Sequence, residues 1–216
     1  MIENVEEKSA IDFQISKASP EEAKEEVSNF YKFMANNYGQ FFSQDPRILD
    51  YNVSLRVTNT PWGHGLATKG VDSDSNKTSM SIFYNTDNQI VGYGGATEEG
   101  NTLQVAFRVF KDHRTKLDSS RAIDDFLTVS IALASSSVDT VLIPKKQLYN
   151  PAIDPEPSGA PLIYRRKGFK SLADSDERRK SDDLAALSSE DLTLELKGTQ
   201  YAKAAEELRE SLNLMI

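Results

Sequence analysis

Apolar positions along the chain switch between a period of two and a period near 3.6, and the switches divide it into elements. Ile11, Phe13 and Ile15 alternate with Asp12, Gln14 and Ser16, which predicts a half-buried strand. Ser19-Pro20-Glu21-Glu22 then carries a full helix start. Ser19 caps, Pro20 suits the first helical position, and Glu22 closes a capping box three residues on. Ala23, Val27, Phe30, Met34 and Tyr38 follow near helical spacing, and Gly39 reads as the stop.

From Gln40 to Lys77 the pattern weakens. Tyr51 to Val57 reads as a strand, Pro61-Trp62-Gly63-His64-Gly65 as a loop, and Val71 to Lys77 as a polar turn. The pattern then sharpens into three short strands, Ser79 to Tyr84, Gln89 to Ala96 and Leu103 to Phe110. Asn85-Thr86-Asp87-Asn88 and Glu98-Glu99-Gly100-Asn101 separate them, as in an antiparallel meander. After a polar stretch, Ile123, Phe126, Leu127, Ile131 and Ala134 mark a helix face that Ser135-Ser136-Ser137 ends. Val138 to Ile143 is a compact apolar strand, so strand, helix and strand form a parallel crossover unit. Lys145 to Pro161 holds four prolines and reads as an irregular loop. Pro161 to Lys167 suits a short helix ended by Gly168, and the mixed charges from Asp174 to Asp183 suit a solvated loop or hairpin tip. Leu192, Leu194 and Leu196 predict a last strand, and Tyr201, Ala205, Leu208 and Leu212 a closing helix.

Composition narrows the chemistry. With no cysteine and only His64 and His113, thiol nucleophiles, disulfide scaffolds and multi-histidine metal centres drop out. A formal charge of -8 argues against gripping nucleic acid through net charge. The acidic start, Met1 to Lys8, lacks the pattern of a secretory signal, and Phe126 to Ala134 is too short to span a bilayer. The 216 residues predict one α/β domain, with 1–10 flexible and 199–216 as the closing helix. A soluble, cytoplasmic chain without membrane or nucleic-acid partners is expected.

Two places hold candidate chemistry. The first runs from Val109 through His113, Arg114, Thr115, Lys116, Leu117, Asp118, Ser119 and Ser120 to Arg121. Amides at a helix start attract anions, and Arg114, Lys116 and Arg121 add positive charge in an acidic chain. The same stretch also reads as a solvated helix start capped by Asp118 or Ser119. The second is Tyr164-Arg165-Arg166-Lys167-Gly168-Phe169, which by itself is a helix end with a glycine cap and an aromatic anchor. Trp62 and His64 read either as lining a pocket or, for Trp62, as tacking a loop to the core.

In this order the two places resemble the GNAT superfamily of acyl-CoA-dependent N-acyltransferases. Val109 and Arg114 match the start of the family's pyrophosphate motif, and Ala160, Tyr164, Gly168 and Phe169 match its Ala-x-x-x-Tyr-x-x-x-Gly-Phe. The resemblance implies a mixed, mostly antiparallel sheet with helices on both faces and a splayed strand pair. It implies acetyl-CoA, or another acyl-CoA, as cofactor, held by Phe107, Val109, Arg114, Thr115, Lys116, Leu117, Asp118, Ser119 and Ser120. Thr115, Leu117 and Ser119 stand where the family has glycines, and Pro157 stands where an asparagine is usual. The acceptor would be a primary amine of a small molecule or a protein. Tyr164 would protonate the leaving thiolate, with backbone amides near Val109 on the thioester carbonyl. Leu103 and Gln104 occupy the usual place of a base glutamate, leaving Glu98, Glu99, Asp112 and His64 as substitutes. The altered glycines and the absent glutamate equally suit a fold that has lost catalysis and acts as a binding module for a protein partner.

Overall fold

The computed structural model describes residues 13–38, 50–72, 74–113, 119–148, 160–171 and 190–214. Among them, nine strands make one sheet in the order β1-β2-β3-β4-β5-β6-β7-β9-β8. The first six form an antiparallel meander: β1 (Gln14–Lys17), β2 (Asp50–Thr60), β3 (Gly63–Val71), β4 (Lys77–Tyr84), β5 (Ile90–Glu99) and β6 (Thr102–Val109). Helix α2 (Ser119–Leu133) then crosses over to β7 (Thr140–Ile143), which lies parallel to β6. Strands β8 (Lys170–Ser171) and β9 (Leu192–Glu195) complete the far edge antiparallel. The mostly antiparallel sheet with one parallel pair is the architecture that the sequence resemblance implies.

Helix α1 (Pro20–Tyr38) begins as its local chemistry dictates. The Ser19 Oγ accepts from the Glu22 N–H at 3.1 Å, and Glu22 Oε2 accepts from the Ser19 N–H at 3.0 Å. Ala23, Val27, Phe30, Tyr31 and Met34 form its buried stripe, which covers Leu66, Met80 and Ile82 on one sheet face. Helix α2 packs on the other face, in a core with Leu55, Phe83, Ala96 and Val105, and helix α5 (Gln200–Leu212) packs on α2. Pairwise alternation along each strand divides the two cores. Residues 1–10 and 174–183 and the stop Gly39 lie outside the described residues.

Two sequence readings need correction. The Pro61–Gly65 stretch is no loop: Pro61 and Trp62 turn the chain, and Gly63 already opens the interior strand β3. Glycine density there answers a steric need, because a Cβ on Gly63 would collide with the Tyr84 carbonyl oxygen, and its φ is +133°. Lys145 to Leu148 forms a helical turn, α3, inside the supposed irregular segment. It begins where the Lys145 N–H donates to Asp191 Oδ1 at 2.7 Å.

The last carbonyls of α2 are buried and are met by two cations. Arg209 on α5 donates to the Ile131, Ala132 and Ala134 oxygens at 2.6, 3.1 and 3.1 Å. Lys69 on β3 donates to the Leu133 oxygen at 2.6 Å and pairs with Glu98 at 2.9 Å. The negative end of the helix dipole thus has both hydrogen bonds and opposite charge. Arg209→Met is expected to cost about 2 kcal/mol, the scale of a lost charged hydrogen bond, in urea unfolding. A loss below about 0.5 kcal/mol would show that water replaces the guanidinium without penalty.

Gly94 sits directly under α2, and a Cβ there would collide with the Phe126 ring. Gly94→Ala is therefore expected to destabilise by about 1–3 kcal/mol through overpacking. Gly95→Ala, whose Cβ would meet only the Ser79 carbonyl oxygen at 3.7 Å, should be neutral or mildly stabilising. Equal effects of the two changes would refute this packing account.

Candidate active site

The parallel pair β6–β7 holds together only at its beginning. Thr102, Leu103 and Gln104 face Thr140, Val141 and Leu142, while β6 runs on to Val109 without further pairing to β7. The Phe110 N–H donates to the Val91 oxygen on β5 at 2.9 Å. Alternation of the strand then turns the Phe107 and Val109 N–H groups the other way, toward the side from which β7 has departed. Their side chains serve the core. Val109 is buried, and Phe107 packs on Phe83 and Phe126 with ring centroids 5.2 Å apart in each case.

Past Phe110 the chain makes a 3-10 turn, Lys111–His113, and helix α2 starts at Ser119. Arg114, Thr115, Lys116, Leu117 and Asp118 lie outside the described residues, as does the Ser119 side chain. Ser120 is exposed, and its Oγ accepts from Lys167 Nζ at 3.1 Å. The same ammonium pairs with Asp124 Oδ1 at 2.7 Å, and the Tyr201 hydroxyl donates to that oxygen at 2.5 Å. One carboxylate on α2 therefore ties down both α5 and the end of α4 (Ala160–Arg166). A cleft of about 290 Å³ opens beside this junction, lined by Ser120, Asp124, Ile163, Arg166, Lys167 and Gln200.

Helix α4 ends as its sequence predicts. Gly168 has φ +95°, its N–H donates to the Arg165 oxygen, and the Phe169 N–H returns to the Tyr164 oxygen at 3.2 Å. Tyr164 itself is 2% exposed, with its ring edge-on to Phe169 at 5.4 Å. Burial pushes its phenol well above the ordinary value, so it keeps its proton at neutral pH. Burial, then the hydrogen bond to Asp124, raises the Tyr201 phenol as well.

The other face of β6 is aromatic. Phe110 stacks on Tyr38 at 5.3 Å and 11°, and meets Phe33 and Tyr93 at 5.8 and 5.9 Å. Arg108 projects to this face, since its neighbours Phe107 and Val109 face α2. Its guanidinium lowers the Tyr38 phenol, opposing burial and Asp112, which raise it. Sequence reasoning missed Arg108, Lys167 and Asp124. The only signal was a charge at an alternating strand position and two more at helix positions facing a junction that no motif describes.

The substitute bases separate by position. Glu98 lies at the far end of β5 and is engaged by buried Lys69, and Glu99 is exposed at the hairpin. His64 stacks on Tyr84 at 5.0 Å, three strands from β6 and so about 14 Å across the sheet. Asp112, exposed just past β6, is the acid at the open end. Trp62 is a structural anchor: it is buried, and its Nε1 donates to Asp125 Oδ2 at 2.7 Å. Among the described residues no group of three or more acidic or histidine side chains is placed to hold a metal. None of their helices is long and apolar enough to cross a membrane.

No protein-family model matches the chain, and no curated protein matches it. Solved structures with a similar fold include a chimera of spermidine N-acetyltransferase SpeG from Vibrio cholerae and hSSAT, 10% identical, with a TM-score of 0.44 over 88% of this chain and 99% of that one. They include GCN5 from Tetrahymena, 10% identical, with a TM-score of 0.40 over 86% and 96%. Nourseothricin acetyltransferase, 13% identical, has a TM-score of 0.37 over 86% and 99%. Independently of these likenesses, the sheet has the strand order given above, with β6 parting from β7 after Gln104.

Desolvation, then Arg56, holds the His64 pKa below its ordinary 6.5, against a smaller opposing pull from Glu26. The unfolded chain thus binds this proton more tightly than the folded one. The contribution of His64 is fully present above pH 6.5 and is lost as pH falls through the folded value. An NMR titration should give His64 a midpoint below 6.5. A midpoint above that value would mean that Glu26 outweighs burial.

Proposed function

We propose that this chain is an acyl-CoA-dependent N-acyltransferase that moves an acetyl group from acetyl-CoA to a primary amine of a small molecule or a protein. The observation that carries the reading is the edge of β6 left open beyond Gln104, with helix α2 starting from the same end of the sheet. An open strand edge offers backbone groups to an extended ligand, and the amide-bearing pantetheine arm is such a ligand. The residues present therefore fit the cofactor.

Acetyl-CoA, when bound, supplies an acyl group activated as a thioester. The chain's own groups divide the remaining work. The Phe107 N–H, near Val109, would face the opening, where a developing oxyanion needs a donor. The described start of α2 at Ser119 and Ser120, with Arg114, Thr115, Lys116, Leu117 and Asp118 before it in sequence, would offer amides and positive charge to a pyrophosphate. Tyr164, held protonated by burial, donates a proton to the departing sulfur. Asp112, through water, takes one from the attacking amine, and burial around Tyr164 keeps bulk solvent from the thioester.

Acetyl-CoA and CoA are expected to raise the melting temperature in proportion to the logarithm of their concentration, since they bind only the folded chain. Tyr164→Phe should lower kcat about 100-fold and leave that shift intact. No shift at millimolar acetyl-CoA would overturn the proposal, and an unchanged kcat in Tyr164→Phe would remove the tyrosine from proton transfer.

A further inference from the structure

Arg108 is the strand position immediately before Val109, and it points to the sheet face opposite α2. Its Nη1 is buried and has no hydrogen-bond partner, and among the described residues it forms no ion pair. Buried nitrogens of Arg121 and Arg165 also make no hydrogen bond, but Arg121 pairs with Asp125, and two other arginines are engaged. Arg209 holds three carbonyl oxygens, and Arg56 reaches Glu26 Oε2 at 2.7 Å. A guanidinium nitrogen withdrawn from water without an acceptor is costly, and native structures keep such groups where a ligand completes them.

The surroundings narrow the ligand. Tyr93 stands opposite Arg108 in the β5–β6 register, and Phe110, two positions on, stacks on Tyr38 and meets Phe33 and Tyr93. Asp112, exposed in the turn just past β6, acts on the same tyrosine, so a cation and an anion both neighbour Tyr38. That pairing matches a molecule bearing an amine and a carboxylate on one short frame. Its carboxylate would meet the fork of Arg108, and its ammonium would be drawn toward Asp112 beside the open edge of β6.

We infer that Arg108 is the specificity-determining residue of an acceptor site for amines that carry a carboxylate, the free α-amino acids being the simplest class. This rests on the acyltransferase reading for its catalytic meaning, but the anion site itself does not. The acidic surface of the chain by itself favours cationic acceptors, so the local guanidinium reverses the expectation drawn from net charge.

The test uses the full chain and a panel of L-α-amino acids, their carboxamides and the corresponding decarboxylated amines. Calorimetric binding without cofactor and CoA release with acetyl-CoA are both read, for wild type, Arg108→Gln and Arg108→Lys. At least one amino acid should bind and turn over about 10-fold or more better than its amide, the scale of one charged hydrogen bond. Arg108→Gln should abolish that preference by raising KM for the acid far more than for the amide, and should keep the acetyl-CoA melting shift as evidence of an intact fold. Arg108→Lys should restore part of the preference. Carboxylate binding that depends on Arg108 in a chain that ignores acetyl-CoA would sustain the anion site and sink acyl transfer. Acetyl-CoA turnover with amides equal to acids, or equal losses for both in Arg108→Gln, would overturn the anion site and leave acyl transfer standing. Absence of any carboxylate binding would overturn it as well.

Discussion

Much of this fold depends on how the buried C-terminal end of helix α2 is satisfied. Ile131, Ala132, Leu133 and Ala134 are all buried, so their carbonyl oxygens have no access to water. Lys69 reaches one from the sheet, and Arg209 reaches three from α5. These contacts fix the axial position of α2 against both layers. They also set where the helix begins, because a rigid helix pinned at one end has its other end determined. That beginning stands at the end of the sheet where β6 loses its parallel partner.

The rest of α2 carries polar fastenings of the same kind. Asp125 is 3% exposed and takes the Trp62 indole N–H on one oxygen, with Arg121 at 3.3 Å from the other. Asp124, one residue earlier, gathers Lys167 and Tyr201. Adjacent helix positions point about 100° apart, so the two carboxylates serve different neighbours, Asp125 the sheet turn and Asp124 the helices α4 and α5. Between these fastenings the contacts are apolar: Phe126 fills the space over Gly94 and meets Phe83 and Phe107. Charged anchors give the helix a single register, and aromatic packing supplies most of its burial energy.

The open edge of β6 follows from this arrangement. Strands β6 and β7 share only three register positions, because β7 ends at Ile143 while β6 continues along β5. Beyond Gln104, β6 makes no further pairing with β7, and Arg108 projects from the sheet face opposite α2. Two chemically different surfaces thus meet at one strand. The open edge offers backbone groups in the plane of the sheet, and the α1 side offers an aromatic wall and a guanidinium nitrogen without a hydrogen-bond partner.

The sequence by itself determined whatever depends on neighbours within a few residues. The capping box at Ser19 and Glu22, the meander from β4 to β6, the crossover through α2 and the glycine cap after Tyr164 are all local, and each was legible. Strand β3 was not, since Gly63 and Gly65 look like loop residues until Tyr84 and Ile82 are placed against them. Within the site, Tyr164, Val109 and the start of α2 stood out because they follow a motif of fixed spacing. Arg108 and Lys167 did not, because their meaning comes from partners that are distant in sequence or missing. Lys167 matters through Asp124 and Ser120, more than forty positions away, and Arg108 through the lack of any partner at Nη1. Periodicity records which face a side chain takes. Only the tertiary structure decides whether the charge on that face is already neutralised, since that depends on what the rest of the chain brings within hydrogen-bonding distance.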